Sequence, residues 1–445
     1  MSSYAFKTKP YAHQRRALQK LLPRRRGGGL YMEMGTGKTK VAIDYAAVRH
    51  QKGEISQVLV LGPLSTLGVW DSEVRKHCPT DELKWKVINY DKARMPFYLQ
   101  QCMDYIRLGG PTLLVCDEAH KLKNPQSKQS KAAYVLSKRC VACLVLTGTP
   151  ITKHALDLFG ELRCVDEGIL GTSWGVFKRQ YAVWGGYGGY QLIKYMNLKQ
   201  LRKRVEPHIF QIKKEQCLDL PKRTHEIVPV SLRESRHRYE SMARNSIVEF
   251  ENGKVSDAPI VLTRLLRLSQ ATGGYLRTDD GRYQNVGTEK RRAFEDLVTE
   301  MWEQEVKKIV VFCRFLNEIR DASHVAKDIG YKVLPFYGAV KPRVREQRLI
   351  EFDETEKPAA FIAQVSAGSL GISLTAASVA VFYSHTFNYA EFAQACDRLH
   401  RIGQRHAVTY YHLIARDTVD ELVWLSLKTK RNVAELVMQR PELLV

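Results

Sequence analysis

Short apolar runs alternate with amphipathic stretches along most of this chain. In the first half the runs are QVLVLGP (57–63), PTLLVCDEAH (111–120) and CLVLTGTP (143–150). The same rhythm returns with KKIVVFCRF (307–315), YKVLPFYG (331–338), PAAFIAQVS (358–366), ASVAVFYSH (377–385) and VTYYHLIA (408–415). Strand alternating with helix implies a parallel sheet covered on both faces, so the pattern predicts an α/β fold with two such lobes. Between them, over about 165–290, the regularity lapses. That stretch holds the glycine-rich WGGYGGY (184–190), several basic clusters and a helical segment, VLTRLLRLSQATGGYL (261–276). The expected division is a first lobe over 1–220, a mainly helical connector over 221–290 and a second lobe over 291–445. No short-period repeat or low-complexity tail interrupts it.

Length supports this division, because 445 residues exceed one ordinary core. A hydrophobic content of 44% and a charged content of 26% are those of an ordinary folded chain. The charge balance is not ordinary. Lys and Arg number 69 against 47 Asp and Glu, a net charge of +22. Such an excess favours a polyanionic partner, since each phosphate neutralised releases a counterion; the plainer reading is a basic protein kept in solution by its charge. The opening MSSYAFKTKP has no apolar signal core, and no run of about 18 apolar residues occurs, so neither secretion nor a membrane span is expected. Nine cysteines, scattered and odd in number, fit a reducing compartment. The close pair Cys140 and Cys143 lies in an apolar run with no second pair to complete a zinc site. Both are expected in the core, and no structural metal is predicted.

Three stretches carry chemistry. LYMEMGTGKTKVAIDY (30–45) has the form of a phosphate-binding loop, except that Met32 stands where the generic pattern has its first glycine. Residues 28–32 suit a strand entering a turn and 40–47 a helix leaving it. Gly35 and Gly37 let backbone N–H groups close around a phosphate at the helix N-terminus, Lys38 can reach the β- and γ-phosphates, and the Thr39 hydroxyl suits Mg²⁺. In LLVCDEAH, Asp117 and Glu118 fall just past the end of a strand, where open parallel sheets build ligand sites. One carboxylate there can hold Mg²⁺ through its water shell while the other orients or deprotonates a water; acids at a helix N-terminus are the plainer reading. In QACDRLHRIGQ (394–404), Gln394, Arg398 and Arg401 stand at i, i+4 and i+7, a spacing that predicts one helix face. That face is either an arginine clamp for a γ-phosphate or simply a solvated basic surface.

Together these residues resemble a superfamily two helicase motor of the Swi/Snf type. YAHQRRALQKLL (11–22) matches the segment whose glutamine reads adenine, and MEMGTGKT the first motif, which in this superfamily does not require the missing glycine. LGPLSTLGVWDSEVRKH (61–77), DEAHKLKNPQSKQSKA (117–132) and LTGTPITKHALDLFGEL (146–162) follow further motifs of the first lobe. LPKRTHEIVPVSL resembles the junction between the lobes. KIVVFCRF, SAGSLGISLTAASVAVFYSHTFN and QACDRLHRIGQ complete the second. The resemblance implies two RecA-like lobes, with ATP and Mg²⁺ as cofactors. It assigns Gln14 to adenine, and Gly35, Thr36, Gly37, Lys38 and Thr39 to the phosphates and Mg²⁺. Asp117 falls to the metal, Glu118 to the water, and Arg398 and Arg401 to the γ-phosphate, with Gln394 nearby. Thr147 and Thr149 sit in the motif that couples ATP to nucleic acid. Two departures stand out. Met32 replaces an acid common in the family, and Phe210-Gln211-Ile212-Lys213 stands where paired arginines are usual. The compact layout is similar to the annealing-helicase branch, or to a compact bacterial or phage member.

The resemblance also implies a DNA track. Its candidate contacts are Ser65, Thr66, Lys121, Lys123 and Lys128 in the first lobe, and Arg314, Ser366 and Ser369 in the second. Hydroxyls, lysines and backbone N–H groups suit a partner gripped without regard to sequence; for any one lysine a solvated surface charge is the alternative. WGGYGGY suits a tight hairpin turn, or else an aromatic wedge at a duplex junction. The implied activity is a DNA-dependent ATPase acting as a translocase on double-stranded DNA, in line with remodelling of replication or recombination intermediates. A strand-separating helicase acting on forks or single strands, an RNA helicase and a non-hydrolysing DNA-binding scaffold are the alternatives. A monomer without membrane association is expected, cytoplasmic in a bacterial or phage-infected cell and nuclear in a eukaryote.

Overall fold

A computed structural model describes residues 5–63, 66–148, 155–185, 191–217, 220–251, 258–277, 281–366, 372–430 and 432–439. The chain divides into two compact units, Met1–Asp219 and Leu220–Val445.

In the first unit the strands are β1 (Gly27–Met32), β2 (Gln57–Gly62), β3 (Lys84–Asn89), β4 (Thr112–Cys116), β5 (Ala142–Thr147), β6 (Ala182–Gly185), β7 (Gln191–Tyr195) and β8 (Ile209–Ile212). Six of them form a parallel sheet in the order β3-β2-β4-β5-β1-β8, while β6 and β7 pair as a separate antiparallel hairpin. Every residue of β1, β2, β4 and β5 is buried, which explains why these strands read as continuous apolar runs. Successive side chains enter two cores. One face sends Leu30, Val58, Val115 and Leu144 against Ala42 and Ile43 of the helix Lys38–Gln51. The other sends Leu59, Leu114 and Val145 against Leu136, Phe159 and Leu162. Each such side chain contributes roughly 1.5–3 kcal/mol by leaving water. The triple glycine that opens β1 answers to crowding: a Cβ on Gly27 would stand 2.2 Å from the Cys143 carbonyl oxygen, and one on Gly28 2.4 Å from that of His208. Cys140 and Cys143 both lie in this unit's core.

The second unit contains β9 (Arg223–Val230), β10 (Tyr275–Arg277), β11 (Tyr283–Asn285), β12 (Lys308–Cys313), β13 (Lys332–Phe336), β14 (Ala359–Gln364), β15 (Val379–Phe382) and β16 (Val408–Ala415). Its sheet is again parallel, in the order β13-β14-β12-β15-β16-β9, with β10 and β11 as a small hairpin. Residues 221–290, expected as a connector, pack inside this unit. β9 pairs along the whole of β16, from Arg223↔Val408 to Val230↔Ala415. Tyr239, Val261, Leu265 and Leu268, from the helices Arg236–Glu251 and Ala258–Thr272, share a core with Phe312, Phe361 and Phe382.

Three imidazoles fasten the β9 edge. His412 on β16 stands 3.0 Å through Nε2 from His225 Nδ1 and 2.9 Å through Nδ1 from His385 Nε2. A neutral imidazole carries one N–H and one lone pair, so a neutral chain satisfies both contacts. Burial holds His412 well below the usual histidine range and His385 down to about 3. Among the described residues no helix is long and apolar enough to cross a membrane.

Candidate active site

The loop after β1 is built by backbone conformation. Gly35 and Gly37 hold φ of 77° and 83°, a region that favours glycine, and Gly37 caps the helix Lys38–Gln51. Met32 closes β1 with its side chain fully buried in the core. Its carbonyl accepts a 2.8 Å hydrogen bond from Lys38 Nζ. Residue 32 therefore acts through its backbone here, and a side chain is accommodated where the generic pattern has glycine. Thr36 is buried, and its hydroxyl donates to the Glu33 carbonyl at 2.6 Å. Its own carbonyl receives His13 Nε2 at 2.8 Å and Gln14 Nε2 at 3.2 Å. Gln14 also accepts from the Tyr11 N–H at 2.9 Å, so both its amide atoms are oriented. A Cβ on Gly37 would stand 2.3 Å from Gln14 Nε2, which brings the adenine candidate directly against the loop. Thr39 is half-buried in the first turn of the helix.

Asp117 follows β4 and is 7% exposed. Trp70 Nε1 donates to its Oδ2 at 3.0 Å, the Glu118 N–H donates to Oδ1 at 3.0 Å, and the Tyr90 hydroxyl donates to its carbonyl at 2.8 Å. Burial, then the charge of Glu118, raise its pKa to about 6, while the Trp70 hydrogen bond and the charge of Lys38 pull it down. Lys38 and Asp117 therefore act on one another within a single site. Glu118 adopts the left-handed conformation, φ 48° and ψ 52°, and its Oε2 lies 3.2 Å from His120 Nδ1. Strain of this kind is rare for a non-glycine residue and is tolerated where the surrounding structure fixes it. A carboxylate set rigidly at a strand end beside a lysine fits a Mg²⁺–phosphate group, with Thr39 and Asp117 as the residues that would hold the metal. Thr147, at the end of β5, is buried, and Thr149 lies outside the described residues.

In the second unit the helix Tyr389–Leu399 carries Gln394 and Arg398, but it stops before Arg401. The expectation that all three share a helix face is corrected: His400 leaves helical geometry with ψ 76°, and Gly403 turns the chain with φ 102°. Arg398 and Arg401 nonetheless meet, because each Nη1 donates to the Ile372 carbonyl, at 3.5 and 3.2 Å. Gln404 builds this turn. It is buried, its Nε2 donates to the carbonyls of Thr375, Ala377 and Leu399, and its Oε1 accepts the N–H groups of Arg405 and His406. His400 Nε2 donates to the Pro221 carbonyl at 2.8 Å.

The residues read as nucleic-acid contacts separate into groups. Lys121, Lys123 and Lys128 are exposed beside the DEAH segment, as phosphate contacts require. Thr66 is half-buried, with its hydroxyl turned back to the Pro63 carbonyl at 3.1 Å. The Arg314 guanidinium stacks 3.7 Å from the Phe387 ring centroid and donates to the His385 carbonyl at 3.3 Å, and burial lowers its pKa to about 10. Ser366 is exposed. Ser65 and Ser369 lie outside the described residues, as does the 186–190 portion of WGGYGGY.

Sequence reasoning did not single out Trp70, Tyr90, His13 or Gln404, which orient the site from elsewhere in the chain. His13, Trp70 and Gln404 did lie within quoted motifs, and burial of a polar group against distant partners, which the motifs themselves do not report, is what marks such a role.

Comparison with known proteins gives three family matches: Type III restriction enzyme, res subunit, over residues 7–152; SNF2-related domain, over 98–272; and Helicase conserved C-terminal domain, over 289–403. Among curated relatives, an uncharacterized ATP-dependent helicase of Mycoplasma pneumoniae is 29% identical over 416 residues, covering 89% of this chain and 39% of that protein. The SWI/SNF-related matrix-associated actin-dependent regulator of chromatin subfamily A-like protein 1 of Xenopus tropicalis is 24% identical, covering 90% of this chain and 42% of that protein. The chain thus spans about two fifths of the length of these relatives. A solved Sulfolobus solfataricus SWI2/SNF2 ATPase core in complex with dsDNA is 23% identical with a TM-score of 0.45, covering 99% of this chain and 95% of that one. The SNF2-related and helicase C-terminal matches follow one another along a chain whose two parallel-sheet units carry the corresponding motifs, and the chain is similar over most of its length to Snf2-type helicases of superfamily two.

Proposed function

We propose that the chain is a DNA-dependent ATPase that couples ATP hydrolysis to movement on double-stranded DNA. The observation that carries this reading is the geometry of the loop after β1, where Gly35 and Gly37 hold positive φ and Lys38 Nζ donates to the Met32 carbonyl at 2.8 Å, together with Asp117 buried just past the end of β4. In this reading Lys38 and the loop N–H groups hold the phosphates, and Gln14 holds the adenine. Mg²⁺, held by Thr39 and Asp117, would neutralise developing phosphate charge. Glu118 orients the attacking water and takes its proton. Arg398 and Arg401 supply positive charge to the γ-phosphate in the transition state. The net charge of +22 and the exposed lysines after the DEAH segment support a polyanionic track.

The test is steady-state ATP turnover of Lys38→Ala and Arg401→Ala in the presence of duplex DNA. Both are expected to lose at least 100-fold in kcat, the scale of removing a transition-state charge contact. Turnover at the parent rate would overturn the assignment. Stimulation confined to forks or single strands would replace duplex translocation by strand separation, and stimulation by RNA alone would replace the substrate class.

A further inference from the structure

Between Glu167 and Glu206 lie seven lysines and arginines and not one aspartate or glutamate. With 47 acidic residues in 445, a stretch of this length would ordinarily hold about four. The segment forms the helix Trp174–Tyr181, the β6–β7 hairpin and the helix Leu198–Val205.

It is seated rigidly on the first unit. Phe177, Tyr181, Leu201 and Val205 are buried in that unit's core, and the Phe159 ring packs at a tilt 5.4 Å from Trp174 and 5.1 Å from Phe177. The Met196 N–H donates to the Tyr181 carbonyl at 3.0 Å, and Asn197 Nδ2 donates to that of Gln180 at 2.8 Å, so the pieces are tied to one another. The outer surface is cationic. Arg179, Lys194, Lys199, Arg202, Lys203 and Arg204 are all exposed, and none forms an ion pair among the described residues. Lys178 alone is engaged, 3.8 Å over the Trp184 ring. Solvated helix faces normally intersperse acids that relieve such repulsion. Here Lys199 and Lys203 repeat the same sign at i, i+4, with no acid within the helix.

The module also adjoins the segment that carries the candidate nucleic-acid contacts Lys121 and Lys123. The helix Asp157–Leu162, which bears Phe159, packs so closely on the DEAH segment that a Cβ on Gly160 would stand 2.1 Å from the Leu122 carbonyl oxygen. Lys121 and Lys123 flank that carbonyl.

We propose that this module is a second DNA-binding surface, which grips the phosphate backbone of duplex DNA beyond the stretch held by the helicase motifs. Charge complementarity selects a polyanion, and exposed flexible cations without base-reading partners select its backbone. The inference rests on the DNA-dependent reading above, and its test is arranged to separate the two.

The triple variant Arg202→Gln, Lys203→Gln, Arg204→Gln removes surface charge without touching the ATP site. Duplex affinity is measured by fluorescence anisotropy across salt concentrations, alongside ATP turnover. The expected result is at least a tenfold weaker Kd at 0.1 M salt. The log–log salt slope should be shallower by about 0.9 for each phosphate that the variant no longer neutralises. Turnover without DNA, and at saturating DNA, should match the parent. An unchanged Kd and slope would overturn the proposal. As a check independent of folding, a photo-crosslinking residue placed at Ile193, which is 56% exposed on the hairpin, should cross-link to duplex DNA; no cross-link, or one to RNA in preference, would overturn it. If duplex DNA fails to stimulate the parent, the functional reading falls, while anisotropy and cross-linking still decide this surface.

Discussion

Replacing Glu161 with glutamine should stabilise the first unit most above neutral pH, with a gain that shrinks as pH falls from about 7 toward 4.5. Glu161 is 4% exposed and accepts the Tyr31 hydroxyl at 2.6 Å, between the strand that feeds the phosphate loop and the helix packed on the DEAH segment. Burial raises its pKa from 4.5 to about 7. The Tyr31 hydrogen bond opposes that rise, the charge of Asp157 adds to it, and His120 and Lys123 oppose it. The native state therefore binds more protons than the unfolded chain between about pH 4.5 and 7. The stability that the protonated form confers is full below this window and is lost as pH rises through it. At about 1.4 kcal/mol per unit, the ionised carboxylate costs the native unit about 3 kcal/mol at pH 8. Glutamine keeps an oxygen for Tyr31 and never ionises, although its extra N–H₂ offsets part of the gain. Urea unfolding of Glu161→Gln and the parent at pH 5.5 and pH 8, followed by a probe in the first unit, measures the difference. A gain of about 1–3 kcal/mol at pH 8 that shrinks at pH 5.5 is expected. An equal difference at both values would refute the reasoning.

The second unit should respond to pH in the opposite sense. His385 and His412 are kept neutral by burial below the usual histidine range, so stability should be lost as pH falls below about 6.5, by about 1.4 kcal/mol per unit for each imidazole; a flat urea midpoint from pH 6.5 to 5 would contradict this. Trp70→Phe removes a donor that holds Asp117 down, so the acid limb of the ATPase pH profile should move upward while turnover recovers above pH 8. An unmoved limb would show that Asp117 does not govern it. Gln404→Ala deletes a buried amide that serves three carbonyls and two N–H groups, and should destabilise the second unit by about 3 kcal/mol or more in thermal unfolding. Gly37→Ala places a methyl group 2.3 Å from Gln14 Nε2 at a φ of 83° and should weaken nucleotide binding at least tenfold by titration calorimetry.

The sheet interiors were legible because burial on both faces leaves mostly apolar residues; VTYYHLIA coincides with β16 even though it includes Thr409 and the buried His412. Of the edge strands, β13 was read as the run YKVLPFYG, but β3 and β9 were not. β3, KWKVIN, is half-exposed, and β9, RTHEIVPV, is mostly exposed and carries Pro229, so neither presents an apolar run. The same physics hid the allegiance of residues 221–290, whose place in the second core depends on partners more than a hundred residues away, such as Tyr410 opposite His225. At the site, Gly35, Gly37, Lys38, Asp117 and Glu118 were readable because each motif is contiguous and its geometry local. Trp70 acts on Asp117 across 47 positions, which no spacing rule reports. Counting alone puts Arg401 on a helix, whereas the glycine two residues on marks the turn that follows its end.

The central claim is tested most directly by steady-state ATP turnover of the full chain without nucleic acid and then with blunt duplex DNA at fixed salt, in parallel with Lys38→Ala. The account predicts turnover that duplex DNA raises at least tenfold and that Lys38→Ala abolishes. Turnover indifferent to DNA, or surviving the loss of Lys38, would contradict it.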